Sequence, residues 1–313
     1  MTKTLTSTKG MTHEDWLEAR KKGIGGSDAG AVAGLNRWKS PVEVWLDKTE
    51  QIPPKEQTEK MYWGTVLEDV IAEEFSKRTG KAIRRRNAIL QHPDHPFMLA
   101  NIDREIVGEK TGLECKNTSR YMSTQWTETE FPQEYLLQCM HYMAVTGYTK
   151  WYLAVLVNGS EFRIYEIDRD EELINDLIKI ESDFWKLVED HIPPEPDGTQ
   201  ASTITISRAY PEADEEADEI DLPDTAEELI QQYFNASTTI KEYEIMKAEA
   251  ENKLKNLLKE SPKGRTETHR VIWRNITSNR LDSKALKNAH PDIYSEFTKE
   301  STSRRFEIKE VKE

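Results

Sequence analysis

The sequence contains only two cysteines among 313 residues, Cys115 and Cys139, which excludes a disulfide-stapled scaffold and a cysteine-built zinc cage. Long apolar runs are missing as well: the longest, residues 151–157, falls far short of the roughly 20 residues a membrane helix needs. The first ten residues are rich in Thr and Lys and have no apolar stretch of secretory type. A cytoplasmic protein without a membrane partner is the expectation. No P-loop, dinucleotide fingerprint or Ser-His-Asp order occurs, so no need for ATP is expected. Positive charge is also in short supply, since 43 basic against 57 acidic side chains leave −14. That sum does not exclude an anionic partner, because the distribution of charge counts for more than its total.

The charge that is present is segregated. Residues 209–240 carry ten Asp or Glu and no Lys or Arg. Basic groups gather at Arg20-Lys21-Lys22, at Arg84-Arg85-Arg86 and over 265–280. The stretch Ile192-Pro193-Pro194-Glu195-Pro196-Asp197-Gly198 cannot continue a helix and reads as a linker. Three parts are expected: a domain over 1–195, an acidic linker over 196–224, and an extension over 225–313.

Within the first part, helices are predicted ending near Lys22, from a Ser27 N-cap to Gly34, and from Ser40-Pro41 to Lys48. A longer one over 59–77 has its core stripe at Trp63, Leu67, Val70, Ile71 and Phe75 and is ended by Gly80. Extended segments follow at 82–90, 97–103 and 112–117, then a helix over 133–146. A buried strand at 150–157, its hairpin partner at 161–167 and a helix over 171–190 complete the part. This order indicates an α/β core around a central mixed sheet flanked by helices. The extension reads as one long helix over 225–259, alternating β-type residues over 265–277, and a short helix near 283–288.

Chemistry concentrates in Leu99-Ala100-Asn101-Ile102-Asp103 and Gly112-Leu113-Glu114-Cys115-Lys116. Strand alternation puts Glu114 and Lys116 on one face and Cys115 on the other. If Asp103 ends the preceding strand, two carboxylates and an ammonium converge at one sheet edge. Such a set suits phosphodiester hydrolysis: hard oxygens hold Mg²⁺, and a lysine orients or deprotonates a water. An acidic residue two before a lysine occurs five times in this chain, and only Glu114/Lys116 follows an apolar strand closing on an aspartate. For most such matches the bland alternative is a surface ion pair. Glu68 shares the inward side of its helix with Ile71 and Phe75, where a carboxylate needs a metal or a partner such as arginine. Gln138 and Tyr142, four apart, project together. His92 and His95, in a proline-punctuated loop, read as structural rather than metal-binding.

These motifs, in this order, resemble the YqaJ-type viral recombinase family, relatives of lambda exonuclease within the PD-(D/E)xK nuclease superfamily. The resemblance runs through Arg20-Lys21-Lys22-Gly23-Ile24-Gly25-Gly26-Ser27-Asp28-Ala29 and Trp63-Gly64-Thr65-Val66-Leu67-Glu68. It continues through Ala100-Asn101-Ile102-Asp103, Leu113-Glu114-Cys115-Lys116 and Gln138-Cys139-Met140-His141-Tyr142, covering about residues 11–195. It implies a restriction-endonuclease-like core. It also implies that Asp103, Glu114 and the main-chain carbonyl of Cys115 bind Mg²⁺, with Mn²⁺ a possible substitute. Lys116 would activate the attacking water, Glu68 would complete the acidic cluster, and Gln138, with Tyr142 beside it, would support the site. Arg20 and Ser27 would grip a 5′-terminal phosphate, whose charge suits a guanidinium. Asn101 stands where lambda exonuclease has a small hydroxyl residue, a departure that bears on phosphate contacts rather than on catalysis.

The resemblance therefore implies an exonuclease degrading one strand of duplex DNA from its 5′ end and leaving a 3′ single-stranded tail. A homotrimer and a RecT-type single-strand annealing partner go with it. The rivals are an endonuclease on the same core and a non-catalytic adaptor for DNA ends.

Overall fold

In the computed structural model, residues 2–52, 58–119, 125–300 and 302–310 are described. The chain forms two compact units, Met1–Tyr210 and Pro211–Glu313.

The first unit is built on two sheets. β1 (Lys3–Ser7), α1 (His13–Lys21), β2 (Ile24–Gly25), α2 (Gly26–Val32), α3 (Pro41–Lys48) and α4 (Glu59–Thr79) come first. Then follow β3 (Ile83–Arg84), β4 (Ala88–Gln91), β5 (Met98–Ala100), β6 (Arg104–Ile106) and β7 (Thr111–Thr118). The unit ends with α5 (Gln133–Thr146), β8 (Lys150–Val157), β9 (Glu161–Asp168), α6 (Glu171–Glu189) and α7 (Gln200–Ala209). The main sheet has the order β3-β6-β7-β8-β9, and the smaller one β1-β4-β5-β2. β7 and β8 run parallel while their outer neighbours run antiparallel, so the main sheet is mixed.

Alternation along β8 explains the layering. Tyr152 and Ala154 face α4 and pack with Ile71, Ala72, Phe75 and Leu113. Trp151, Leu153 and Val155 face the other way, against Cys139, Met140 and Met143 of α5. A strand covered on both faces must be apolar, as this one is from Trp151 to Val157. The α/β core with helices on both sides of a mixed sheet is therefore present.

Local signals account for most boundaries. The hydroxyls of Ser40 and Thr58 cap α3 and α4 by accepting the backbone N–H of Glu43 and Met61. Gly80 and Gly147 end α4 and α5 at φ +71° and +69°, a region that favours glycine.

Several expectations need correction. Ser27 lies inside α2, with Gly25 at the cap position. Trp63 and Val70 are half exposed (50% and 54%), and the face α4 buries is Ile71, Ala72 and Phe75. The segment 82–90 splits into β3 and β4, which belong to different sheets. β1, not foreseen in a Thr- and Lys-rich start, pairs antiparallel with β4. Residues 200–209, read as linker, form α7, which buries Ala201, Ser202 and Thr205. Ser202 and Thr199 donate hydroxyl hydrogen bonds to Asp197 at 2.6 and 2.5 Å, closing the turn that starts this helix.

The second unit holds α8 (Thr225–Leu258), β10 (Lys263–Arg265), β11 (Arg270–Ile272), α9 (Ser283–Ala289) and α10 (Pro291–Glu296). None of the α8 side chains is buried. Its contacts within the unit include the ring of Tyr233 on Phe306 and the Lys255 ammonium over Trp273. No helix among the described residues is long and apolar enough to cross a membrane.

Candidate active site

The site forms where β6 and β7 diverge. Arg104 pairs with Leu113 and Glu105 with Gly112, so the register carried one step further sets Asp103 opposite Glu114. Residues opposite each other on antiparallel strands share a face, which brings the two carboxylates together. Contrary to the expectation, Asp103 does not end the preceding strand; it stands between β5 and β6, at the crossing from the small sheet to the main one. Its Oδ2 accepts the Cys115 N–H at 2.9 Å. A strand residue directs its N–H and C=O to the same edge, so the Cys115 carbonyl is turned toward Asp103 as well.

Glu114 is buried on the α5 side of β7. Its Oε1 accepts the Gln138 side-chain amide at 2.7 Å and lies 2.5 Å from Lys116 Nζ. Gln138 also donates to Tyr142 Oη at 3.0 Å. The pair four apart on α5 thus acts together, with Gln138 on the carboxylate and Tyr142 behind it. Lys116 Nζ lies over the Tyr135 ring, 5.2 Å from its centre. Cys115 points to the opposite face, beside Ile71 and Phe75, and burial with three nearby carboxylates pushes its thiol far up. It is no nucleophile.

Glu68 approaches from α4 but is not on a buried face: its side chain is 30% exposed, and Oε1 accepts Arg104 Nη1 at 2.5 Å. The arginine partner named above as the bland alternative is therefore present. Arg104 also donates to the Asp103 carbonyl at 2.6 Å and pairs with Asp69, tying α4 to β6.

Electrostatics reflect this crowding. Burial, Glu114 and Glu68 together hold Asp103 well above the usual carboxylate range. Burial alone would lower Lys116, but Glu114 and Asp103 outweigh it and keep the side chain an ammonium. Glu114 Oε2 is buried and has no hydrogen-bond partner among the described residues. An orphaned carboxylate oxygen next to a second carboxylate and a strand carbonyl fits a hard divalent cation. Among the described residues no three His, Cys, Asp or Glu side chains form a ready-made metal cage. A set of two carboxylates completed by a main-chain carbonyl is consistent with that.

A second cluster lies at α2. Arg20 Nη2 donates to Ser27 Oγ at 2.8 Å, so the two expected phosphate residues do meet. Gly26 belongs here for a steric reason: a Cβ would sit 2.4 Å from the Tyr142 ring, so α2 can lie on α5 only without one. In the proline-punctuated loop, His92 Nδ1 accepts the backbone N–H of Asp94 and His95 at 3.1 and 3.0 Å, which takes up that nitrogen. Burial and His95 lower the pKa of His92 to about 4.

Sequence reading missed Arg104, Tyr135, Lys39 and Asp28. Tyr135 shares a helical face with Gln138 and Tyr142, a signal that was available. The carboxylate partners of Arg104 lie about 35 residues away, and Lys39 meets Asp28 across eleven residues of loop and helix that no single period spans.

The YqaJ-like viral recombinase domain profile matches residues 15–149. The uncharacterised protein YqaJ of Bacillus subtilis strain 168 is 44% identical over 311 residues, 98% of this chain and 97% of that protein. Among solved structures, the alkaline exonuclease LHK-Exo of Laribacter hongkongensis superposes with a TM-score of 0.49 at 20% identity. That match covers 57% of this chain and 94% of the other. A phage-related exonuclease of Haemophilus somnus 129PT gives 0.43 at 12% identity, over 54% and 96% of the two chains.

Proposed function

The chain belongs to the YqaJ-like viral recombinase family, and from that premise we propose that it is a Mg²⁺-dependent deoxyribonuclease of phage-type recombination. On this reading it degrades one strand of duplex DNA from a 5′ end and leaves a 3′ single-stranded tail. The observation that carries the proposal is the buried Glu114 Oε2, without a partner among the described residues, beside Asp103, Lys116 and Gln138.

Asp103, Glu114 and the Cys115 carbonyl are the residues that would hold the metal. Bound there, it would supply Lewis acidity toward the phosphate and lower the pKa of a water. Gln138 fixes the Glu114 rotamer from α5, and Arg104 fixes Glu68 at the rim. Lys116 has two roles open to an ammonium in contact with carboxylates: donating to a phosphate oxygen, and orienting a water. Taking the water's proton requires it to be neutral first, which the bare charges of Glu114 and Asp103 oppose. Arg20 and Ser27 would bind the terminal phosphate. Action in the cytoplasm, assembly as a homotrimer and delivery of the tail to a RecT-type annealing protein rest on family resemblance alone.

The test is incubation of linear and covalently closed duplex with the purified protein and Mg²⁺, using phosphorylated and dephosphorylated 5′ ends. Mononucleotide release from phosphorylated linear DNA, with closed circles intact, is the expected result. Nicking or cutting of closed circles would replace the exonuclease with an endonuclease. No metal-dependent release of nucleotides from any substrate would leave only an end-binding adaptor.

A further inference from the structure

The floor of the α2 cluster is a buried carboxylate with an unusual number of cations. Asp28 is 1% exposed. Its Oδ1 lies 2.8 Å from Lys39 Nζ, and its Oδ2 lies 3.0 Å from Lys48 Nζ and 3.8 Å from Arg20 Nη2. Asp47, at the rim 4.0 Å from Lys48, is a second carboxylate. Among the described ion pairs of this cluster, three cations thus face Asp28 and Asp47, and these five groups together carry one positive charge.

The three cations are not equivalent. The Lys48 side chain is 1% exposed and donates inward, to the Arg20 carbonyl at 2.9 Å as well as to Asp28. It cannot touch a ligand. Lys39 and Arg20 keep 26% and 28% of their side chains exposed, each anchored at one point to the same carboxylate. An ammonium has three protons to donate, and Asp28 is the acceptor seen for Lys39 among the described residues. The loop presenting Lys39 is fixed by Asn36, whose Oδ1 accepts the N–H of Trp38 at 2.8 Å and of Lys39 at 3.2 Å. Gly25 keeps the front of the cluster bare: a Cβ there would rest 3.5 Å from Arg20 Nη2 and 3.6 Å from Asp28 Oδ2.

We propose that Lys39 is a second cationic ligand for the terminal phosphate, and that Asp28, seated on Lys48, is the positioning residue that sets Lys39 against Arg20. This rests on the reading of Arg20 and Ser27 as the end-binding pair. A terminal phosphate monoester carries close to two negative charges at neutral pH, whereas an internal diester carries one and a hydroxyl end none. Two outward cations on a shared carboxylate select the first of these. Lys48 is pulled down first by burial and then by Arg20 and Lys39, although it touches Asp28, while Asp28 and Asp47 raise Lys39 and keep it an ammonium.

The experiment measures binding of the full-length protein to 5′-phosphorylated and 5′-hydroxyl duplex ends by fluorescence anisotropy, with divalent metal withheld to prevent cleavage. Lys39→Met keeps the aliphatic stem and is expected to lower affinity for the phosphorylated end about tenfold or more. Affinity for the hydroxyl end falls much less, so the ratio between the two ends drops, and Lys39→Arg retains most of the preference. Asp28→Asn is expected to reduce the phosphate preference as well, whereas a merely structural defect would weaken both ends equally and leave the ratio intact. Should Arg20→Met abolish the preference while Lys39→Met keeps it, the Lys39 assignment falls and the end-binding reading stands. Wild-type protein indifferent to the phosphate would overturn both.

Discussion

Two buried clusters in the first unit are near opposites, and the contrast shows how each ligand can be read from charge. At the end of β7, Asp103 and Glu114, with Glu68 nearby, crowd one ammonium, that of Lys116. Beside α2, Arg20, Lys39 and Lys48 crowd one carboxylate, that of Asp28. Burial pushes both aspartates toward the neutral form. At Asp103 the neighbouring carboxylates add to that push; at Asp28 the three cations overwhelm it and hold the group well below its usual range. One cluster lacks positive charge and the other lacks negative charge. A cation and a phosphate are the two things a metal-dependent nuclease must bind.

The comparison breaks most visibly in activity. Asp103→Ala or Lys116→Ala is expected to reduce nucleotide release from linear duplex about a thousandfold or more, with binding to DNA ends retained. Full activity in either purified variant would remove the carboxylate cluster from the chemistry.

Stability sharpens the contrast, because the two aspartates act with opposite sign. Asp28→Asn leaves three buried or half-buried cations without their carboxylate, and is expected to cost about 3 kcal/mol in urea unfolding at neutral pH. Since the folded pKa of Asp28 is depressed, its contribution is complete above the unfolded value. It is lost as pH falls through the folded value, so the cost shrinks in strong acid. Gly26→Ala, which drives a methyl into the Tyr142 ring between the two clusters, is expected to destabilise by about 2 kcal/mol.

The smallest effect has the opposite direction. In the metal-free protein, Asp103→Asn is expected to stabilise by about 1 kcal/mol, or roughly 2–4 °C in melting temperature. The folded pKa of Asp103 is raised, so between the unfolded and folded values the native chain binds more protons and stability falls as pH rises. The gain from Asn should therefore be absent in acid and complete above the raised pKa. A destabilised Asp103→Asn at neutral pH would show that the carboxylates are not repelling one another.

Legibility in the sequence followed the range of the forces involved. α3, α5, β8, β9 and α6 could be read almost to their ends, because capping residues, glycines and apolar period are local. α4 was located correctly, but its buried face was misjudged. A 21-residue helix flanking one side of a sheet covers it only near Ile71 and Phe75, leaving Trp63 beyond the edge. β1 has no apolar signature, and its partner β4 lies over eighty residues away. The same holds within the site: Glu114, Lys116, Gln138 and Tyr142 are spaced by strand and helix geometry, whereas Arg104 on Glu68 bridges 36 residues.

By itself, then, the order of residues determined the mixed α/β core, the facing of Glu114 and Lys116 on one strand surface, and the family to which the chain belongs. Tertiary structure alone decided that Glu68 is tied to an arginine, that one Glu114 oxygen has no partner among the described residues, and that Arg20, Lys39 and Lys48 share Asp28. The physical reason is that periodicity directs a side chain to a face, while burial and charge balance depend on whatever other segments fold against it.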